Sequence, residues 1–174
     1  MKIFLIAGKA GSGKHNVATL IKEHFIYDKQ ETIITGYSKY LKLYAEEIIG
    51  WDRNENEKPR KFLQDLGVQI RTELGMPDFF TDRMLDDIRV YEQFAGVVVI
   101  DDVRLPGEIE KIKEVYDDVT SILVINQFGD SKLTVEEQVH PTETALENYD
   151  KFDYTIINTD QNKLREDVFK ILGD

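Results

Sequence analysis

Residues 2–15 read KIFLIAGKAGSGKH. The first six are a short apolar run of the kind that forms a buried strand, and it stops abruptly in glycines. Behind them, residues 14–27 (KHNVATLIKEHFIY) place Val17, Leu20, Ile21, His24 and Phe25 at helical spacing. The join, Gly8-Lys9-Ala10-Gly11-Ser12-Gly13-Lys14-His15, has the form G-x-x-x-x-G-K. Its position directly after a strand and at the opening of a helix is what gives the pattern mechanical meaning. There the glycines let consecutive backbone N–H groups converge on a phosphate. The helix N-terminus adds its partial positive charge, and Lys14 reaches the outer phosphates. A ligand-free glycine turn is the bland alternative. Gly8, Lys9, Gly11, Ser12, Gly13, Lys14 and His15 are thus candidates for holding the phosphates of ATP.

His15 breaks the pattern, since a serine or threonine hydroxyl normally stands there and ligates Mg²⁺. Magnesium is a hard ion that prefers oxygen, and imidazole is a poor substitute. The metal is therefore expected to be held through waters and a carboxylate elsewhere, with Asp101 the candidate.

Outward from the loop, β-rich runs alternate with amphipathic stretches. Residues 31–35 (ETIIT) read as a second strand and Ser38 to Ile49 as a helix stopped by Gly50. After the charged loop 51–58, Pro59 opens a helix to about Leu74 and Pro77 another to about Phe94. Residues 96–104, GVVVIDDVR, are the continuous apolar run of a strand buried on both faces. A helix from Pro106, strands at 121–126 and 154–158, and a last helix over 161–172 complete the chain. This order predicts a three-layer α/β fold: a five-stranded parallel sheet with helices on both faces. With no repeat or linker, residues 1–174 are expected to be one domain, with 37–95 a helical acceptor-binding region and 127–141 a lid-like loop.

The strand ending Asp101-Asp102-Val103-Arg104 puts acids at the carboxyl edge of the sheet, where this architecture places a metal-orienting carboxylate. Asp101 or Asp102 is expected to hold the metal's water shell or orient the attacking oxygen, and Arg104 to clamp an anion; a solvated Asp–Arg pair is the alternative. With Lys14 these form the candidate catalytic set. Arg60 and Arg71 lie eleven residues apart, close to three helical turns, and so share a face; Arg83 follows on the next helix. Singly, each is better read as a surface ion pair in an acid-rich chain; collectively, phosphoryl transfer needs several such cations. The lid stretch holds Lys132 as its one cation and no arginine. His140 is a candidate acid or base, or a structural hydrogen-bonding group beside Pro141.

Composition sets limits on partners. Twenty-two Lys and Arg against 33 Asp and Glu give a net charge of −11, which offers no long-range attraction for nucleic-acid polymers or anionic membranes. The absence of cysteine removes disulfides, thiolate nucleophiles and Cys-based metal sites. No apolar stretch approaches the ~20 residues of a bilayer span, and the N-terminal run breaks into glycines where a signal peptide would continue. A cytoplasmic protein is expected.

Together these residues resemble the nucleoside monophosphate kinase superfamily of P-loop proteins. Within it the chain is similar to the phage-type deoxynucleoside monophosphate kinases and animal-type phosphomevalonate kinases. The matching blocks are GKAGSGKH, where that group shows a variant SGKD loop, then RKFLQDLGVQIR running into MPDFFTDRMLDDI, IDDVRLPGEIEKIK, and HPTETALENYDKFDYTIINTDQNKL. The resemblance implies an ATP- and Mg²⁺-dependent kinase converting a phosphate monoester to a diphosphate. It implies Arg60 and Arg71 facing the acceptor, with Ser38, His140 and Glu143 also on the substrate side, and Asn158 and Thr159 packing against adenine. His15 and the arginine-poor lid depart from the group's pattern. The expected partner is a small phosphate acceptor, most readily a nucleoside monophosphate, bound by a monomer or homodimer. Phosphomevalonate-like chemistry would instead offer an aliphatic acceptor, and Tyr37, Tyr40, Phe62, Phe79 and Phe80 are the aromatics that a base would need. A nucleotide-binding regulator with little turnover, or an ATPase switch, are the readings from other classes.

Overall fold

A computed structural model describes residues 1–127, 133–134 and 138–173. Residues 128–132 and 135–137, including Lys132 and much of the expected lid, lie outside the described residues.

Five strands form one sheet: β1 (Lys2–Ala7), β2 (Thr32–Thr35), β3 (Val97–Val103), β4 (Val119–Asn126) and β5 (Tyr154–Asn158). Their order is β2-β3-β1-β4-β5 and every pairing is parallel. The helices are α1 (Lys14–Tyr27), α2 (Ser38–Ile49), α3 (Arg60–Thr72), α4 (Phe79–Tyr91), α5 (Pro106–Val115), α6 (Pro141–Thr144) and α7 (Gln161–Leu172), with a short 3-10 turn at Glu55–Glu57.

The two-residue period of a strand sorts the core onto two faces. Ile3 and Leu5 of β1 and Val98 and Ile100 of β3 pack with Phe80, Met84 and Ile88 of α4 and Ile109 and Ile112 of α5. Phe4 and Ile6, with Val97 and Val99, pack instead with Val17, Ile21 and Phe25 of α1 and Leu164 and Val168 of α7. Ala45, Trp51 and Leu63 make a separate cluster that joins α2 to α3. The sheet is thus covered on both sides, as the uninterrupted apolar reading of β3 demands. Helices α3 and α4 are shorter than expected: α4 starts at Phe79 rather than at Pro77, because residues 77 and 78 form the turn that follows Gly75 in its left-handed conformation (φ 65°). No helix among the described residues is long and apolar enough to cross a membrane.

One irregularity bears on the site. Leu5 pairs with Ile100 but Ala7 pairs with Val103, so β3 carries one residue more than β1 over this interval. The extra residue falls at Asp101-Asp102, a bulge of the sort that re-aims side chains beside a site.

Candidate active site

The loop between β1 and α1 is built by close approach. A Cβ on Gly8, which has φ 147°, would fall 2.3 Å from the Val124 carbonyl oxygen, so no other residue fits that corner. The loop is braced from the neighbouring strand ends: the Asn158 amide donates to Ser12 O (2.9 Å) and the Asn126 amide to Gly11 O (3.4 Å). Lys14 turns its ammonium back across the loop, donating to Gly8 O and Lys9 O, each at 2.8 Å. Burial lowers its pKa to about 8. The neighbouring Arg104 charge pulls the same way, while Glu143, Asp102 and Asp101 pull it up.

The bulge gives the two aspartates separate tasks. Asp101 faces the loop, its Oδ2 2.8 Å from His15 Nδ1. Burial raises its pKa, the His15 hydrogen bond opposes this, and the Asp102 charge adds to it. Asp102 faces the other way and accepts the backbone N–H groups of Tyr37 (2.7 Å) and Ser38 (2.9 Å). Helix α2 has no capping side chain of its own, so the carboxylate from β3 serves its orphan N–H groups. A Cβ on Gly36 would meet that carboxylate at 2.6 Å, which keeps position 36 free of a side chain.

Arg104 and Arg71 are already paired with acids. Arg104 donates to Glu143 (2.6 Å), whose other oxygen accepts the Ala10 N–H at 3.1 Å. Arg71 lies over the Phe80 ring at 4.7 Å and 3.6 Å from Glu108. Burial lowers the pKa of Arg71, and Glu108 opposes the shift. Glu108 is itself fully enclosed and also accepts the N–H groups of Arg104 (2.7 Å) and Leu105 (3.0 Å). Burial raises its pKa to about 7, against the pull of those bonds and of Arg71.

A cavity of about 550 Å³ runs from the loop to the α2–α3 pair. Gly11, Gly13, Lys14, His15, Asp101, Asp102 and Arg104 line one end, and Ser38, Arg60, Arg71 and Glu143 also border it. Two further cations, Lys42 and Lys58, join Arg60 at the far end, where Glu55 contacts both lysines (3.5 and 3.0 Å). Burial lowers the Lys58 pKa, and the charges of Lys42 and Arg60 lower it further while Glu55 opposes them. Lys42, Lys58 and Glu108 were not among the residues expected from sequence. Glu108 had a legible signal, a glutamate two residues after a helix-opening proline; the lysines had none, because what unites them is the packing of α2 on α3.

Other expected residues lie elsewhere. Gly8, Lys9 and Ser12 border a second cavity of about 350 Å³ behind the loop, where Lys9 pairs with Glu147 at 2.5 Å. The Ser12 hydroxyl is buried with no hydrogen-bond partner among the described residues. Asn158 braces the loop, and Thr159 bonds Asp160 (3.3 Å), which caps α7; neither borders either cavity. His140 caps α6 through Thr142, as its structural alternative expects, and borders neither cavity. Arg83 stacks on Tyr40 and Phe79 at 5.0 and 5.5 Å and also lies outside the cavity lining.

No protein-family model matches the chain, and no curated protein matches it significantly. Solved structures do. TT1252 from Thermus thermophilus superposes with a TM-score of 0.56 at 18% identity, over 98% of this chain and 95% of that one. Shikimate kinase from Aquifex aeolicus gives 0.50 at 13% identity, over 99% and 96%. At such identities the likeness is one of fold, and together with the parallel sheet and its glycine loop it establishes the three-layer α/β P-loop architecture for this chain.

Proposed function

We propose that the protein is an ATP-dependent phosphotransferase whose acceptor is a phosphate monoester, a nucleoside or deoxynucleoside monophosphate giving the diphosphate. The observation that carries this is the single cavity with cations at both ends, Lys14 and Arg104 at the P-loop and Lys42, Lys58 and Arg60 against α2 and α3. An anionic donor and an anionic acceptor each find a charge to meet in one cleft. Positioning and electrostatics then account for the transfer, and no covalent enzyme intermediate is required. One unit, residues 1–174, holds the donor loop, the acceptor region 37–95 and the lid at 127–141. In this reading the enzyme works in the cytoplasm, as a monomer or homodimer, without nucleic-acid or membrane partners.

The residues present suit Mg²⁺ brought in on the nucleotide. The described residues contain no cluster of three or more acids and histidines that could hold a metal. A hard ion that keeps its waters needs only phosphate oxygens and one carboxylate, and Asp101 supplies the carboxylate. Bound there, the ion would neutralise charge on the phosphate oxygens, while His15 fixes the orientation of Asp101.

A second acceptor class has an observation in its favour. Of Tyr37, Tyr40, Phe62, Phe79 and Phe80, only Tyr37 and Phe80 border the cavity. Both rings are buried, Tyr37 4% and Phe80 2% exposed, and Arg71 covers Phe80, so neither ring offers a free face to a base. This favours an aliphatic phosphate, as in phosphomevalonate-type chemistry. A coupled assay of ADP release across nucleoside, deoxynucleoside and aliphatic monophosphates separates the two. Lys14-dependent ATP binding with no stimulation by any acceptor would instead make the protein a nucleotide-binding regulator, and steady hydrolysis without acceptor an ATPase switch.

A further inference from the structure

Glu143 stands in the cavity wall between the P-loop and Arg104, and both its oxygens are engaged, one by the Arg104 guanidinium and the other by the Ala10 N–H. Its side chain is only 7% exposed, against 24% for Arg104. A carboxylate repels phosphate, and one whose lone pairs are already committed to protein donors is poorly suited to holding an anionic substrate. What Glu143 does hold is an arginine. Arg104 lines the same cavity as Lys14, and of the charged groups that act on Lys14 it has the largest effect.

The two residues come from different layers of the fold. Arg104 extends from the end of β3 in the central sheet, and Glu143 lies on α6, far along the chain. An unrestrained arginine samples many rotamers, and holding its planar fork in one of them costs side-chain entropy. The Glu143 bond meets part of that cost before any ligand arrives. It occupies one of five N–H donors, which leaves the others for phosphate oxygens.

We propose that Glu143 is a positioning residue that fixes Arg104 against the P-loop by bridging it to the Ala10 N–H, so that the remaining N–H groups of Arg104 meet the donor's terminal phosphate. The proposal rests on the P-loop being the donor-phosphate site. A cycle of four proteins tests it: the wild type, Glu143→Gln, Arg104→Met and the double variant, each titrated calorimetrically with Mg²⁺-ATP and Mg²⁺-ADP. ADP lacks the terminal phosphate and serves as the internal control. Each single variant is expected to weaken ATP binding about tenfold while changing ADP binding less than about twofold, and the double variant to bind ATP no more weakly than Arg104→Met alone.

Unchanged or tighter ATP binding in Glu143→Gln would overturn the proposal, the latter by making the carboxylate a competitor of the phosphate. So would equal losses for ATP and ADP, or single-variant losses that multiply. Glutamine keeps an acceptor for the Ala10 N–H; should that variant not fold, Glu143→Asp, one methylene too short to span both partners, is expected to give the same pattern. Because the readout needs no turnover, it stands apart from the kinase assignment: an intact ATP–ADP pattern without acceptor-stimulated ADP release would defeat that assignment and leave Glu143 in place.

Discussion

Lys14 shows how burial sets the working range of a residue. Its pKa is held near 8, below the ordinary 10.5, because the ammonium is desolvated beside Arg104. The charge a phosphate reads is therefore complete at pH 7 and lost as pH rises through about 8. ATP affinity should be flat below about pH 7 and weaken above 8, and calorimetric titration at stepped pH will show the inflection; Lys14→Ala should abolish it together with most of the affinity. Stability runs in the opposite sense. Between about pH 8 and 10.5 the unfolded chain keeps a proton that the folded chain has released, so the free energy of unfolding gains from this group as pH climbs across that window. The residues legible in the sequence were those fixed by local pattern: the glycines, Lys14, and the Asp101 and Arg104 positions at a strand end. Glu143 was legible as a position but not in its task, since nothing local says which arginine a glutamate will meet across 39 residues.

Elements were the most legible scale, because apolar period and glycine or proline punctuation act within a few residues. What the sequence could not display is that α2 begins without its own cap and borrows one from β3. Asp102→Ala should lower the free energy of unfolding by about 1–2 kcal/mol, the usual worth of an N-cap, and should raise the acceptor KM more than the ATP KM. Asp101→Asn should do the reverse, leaving thermal unfolding nearly unchanged while kcat falls by about a hundredfold or more. Chemical denaturation and steady-state kinetics on the two variants will show whether these neighbouring carboxylates divide as the hydrogen bonds indicate. Similar effects from both would mean that the division is not functional.

At the scale of the molecule, the charge of −11 coexists with a small cationic pocket, because the fold collects the positive groups that matter: the pairing of β1 with β3 brings Lys14 and Arg104 together, and the packing of α2 on α3 brings Lys42 to Lys58 and Arg60. That is why Lys42 and Lys58 were invisible before folding. Lys58→Met should raise the acceptor KM about tenfold with little change for ATP, roughly the value of one hydrogen bond to a charged group. Neutralising exposed acids such as Glu166 or Asp86 should leave both constants nearly unchanged, and kinetics at two ionic strengths will separate local from long-range charge. The bulge in β3 also bears on descent. Because one strand carries a residue more than its neighbour at Asp101-Asp102, the two carboxylates depend on a count. Loss of a single codon there would remove one carboxylate and close the bulge, and gain of one would turn a neighbouring side chain to the opposite face, so the division of labour between the two acids is sensitive to length as well as to identity.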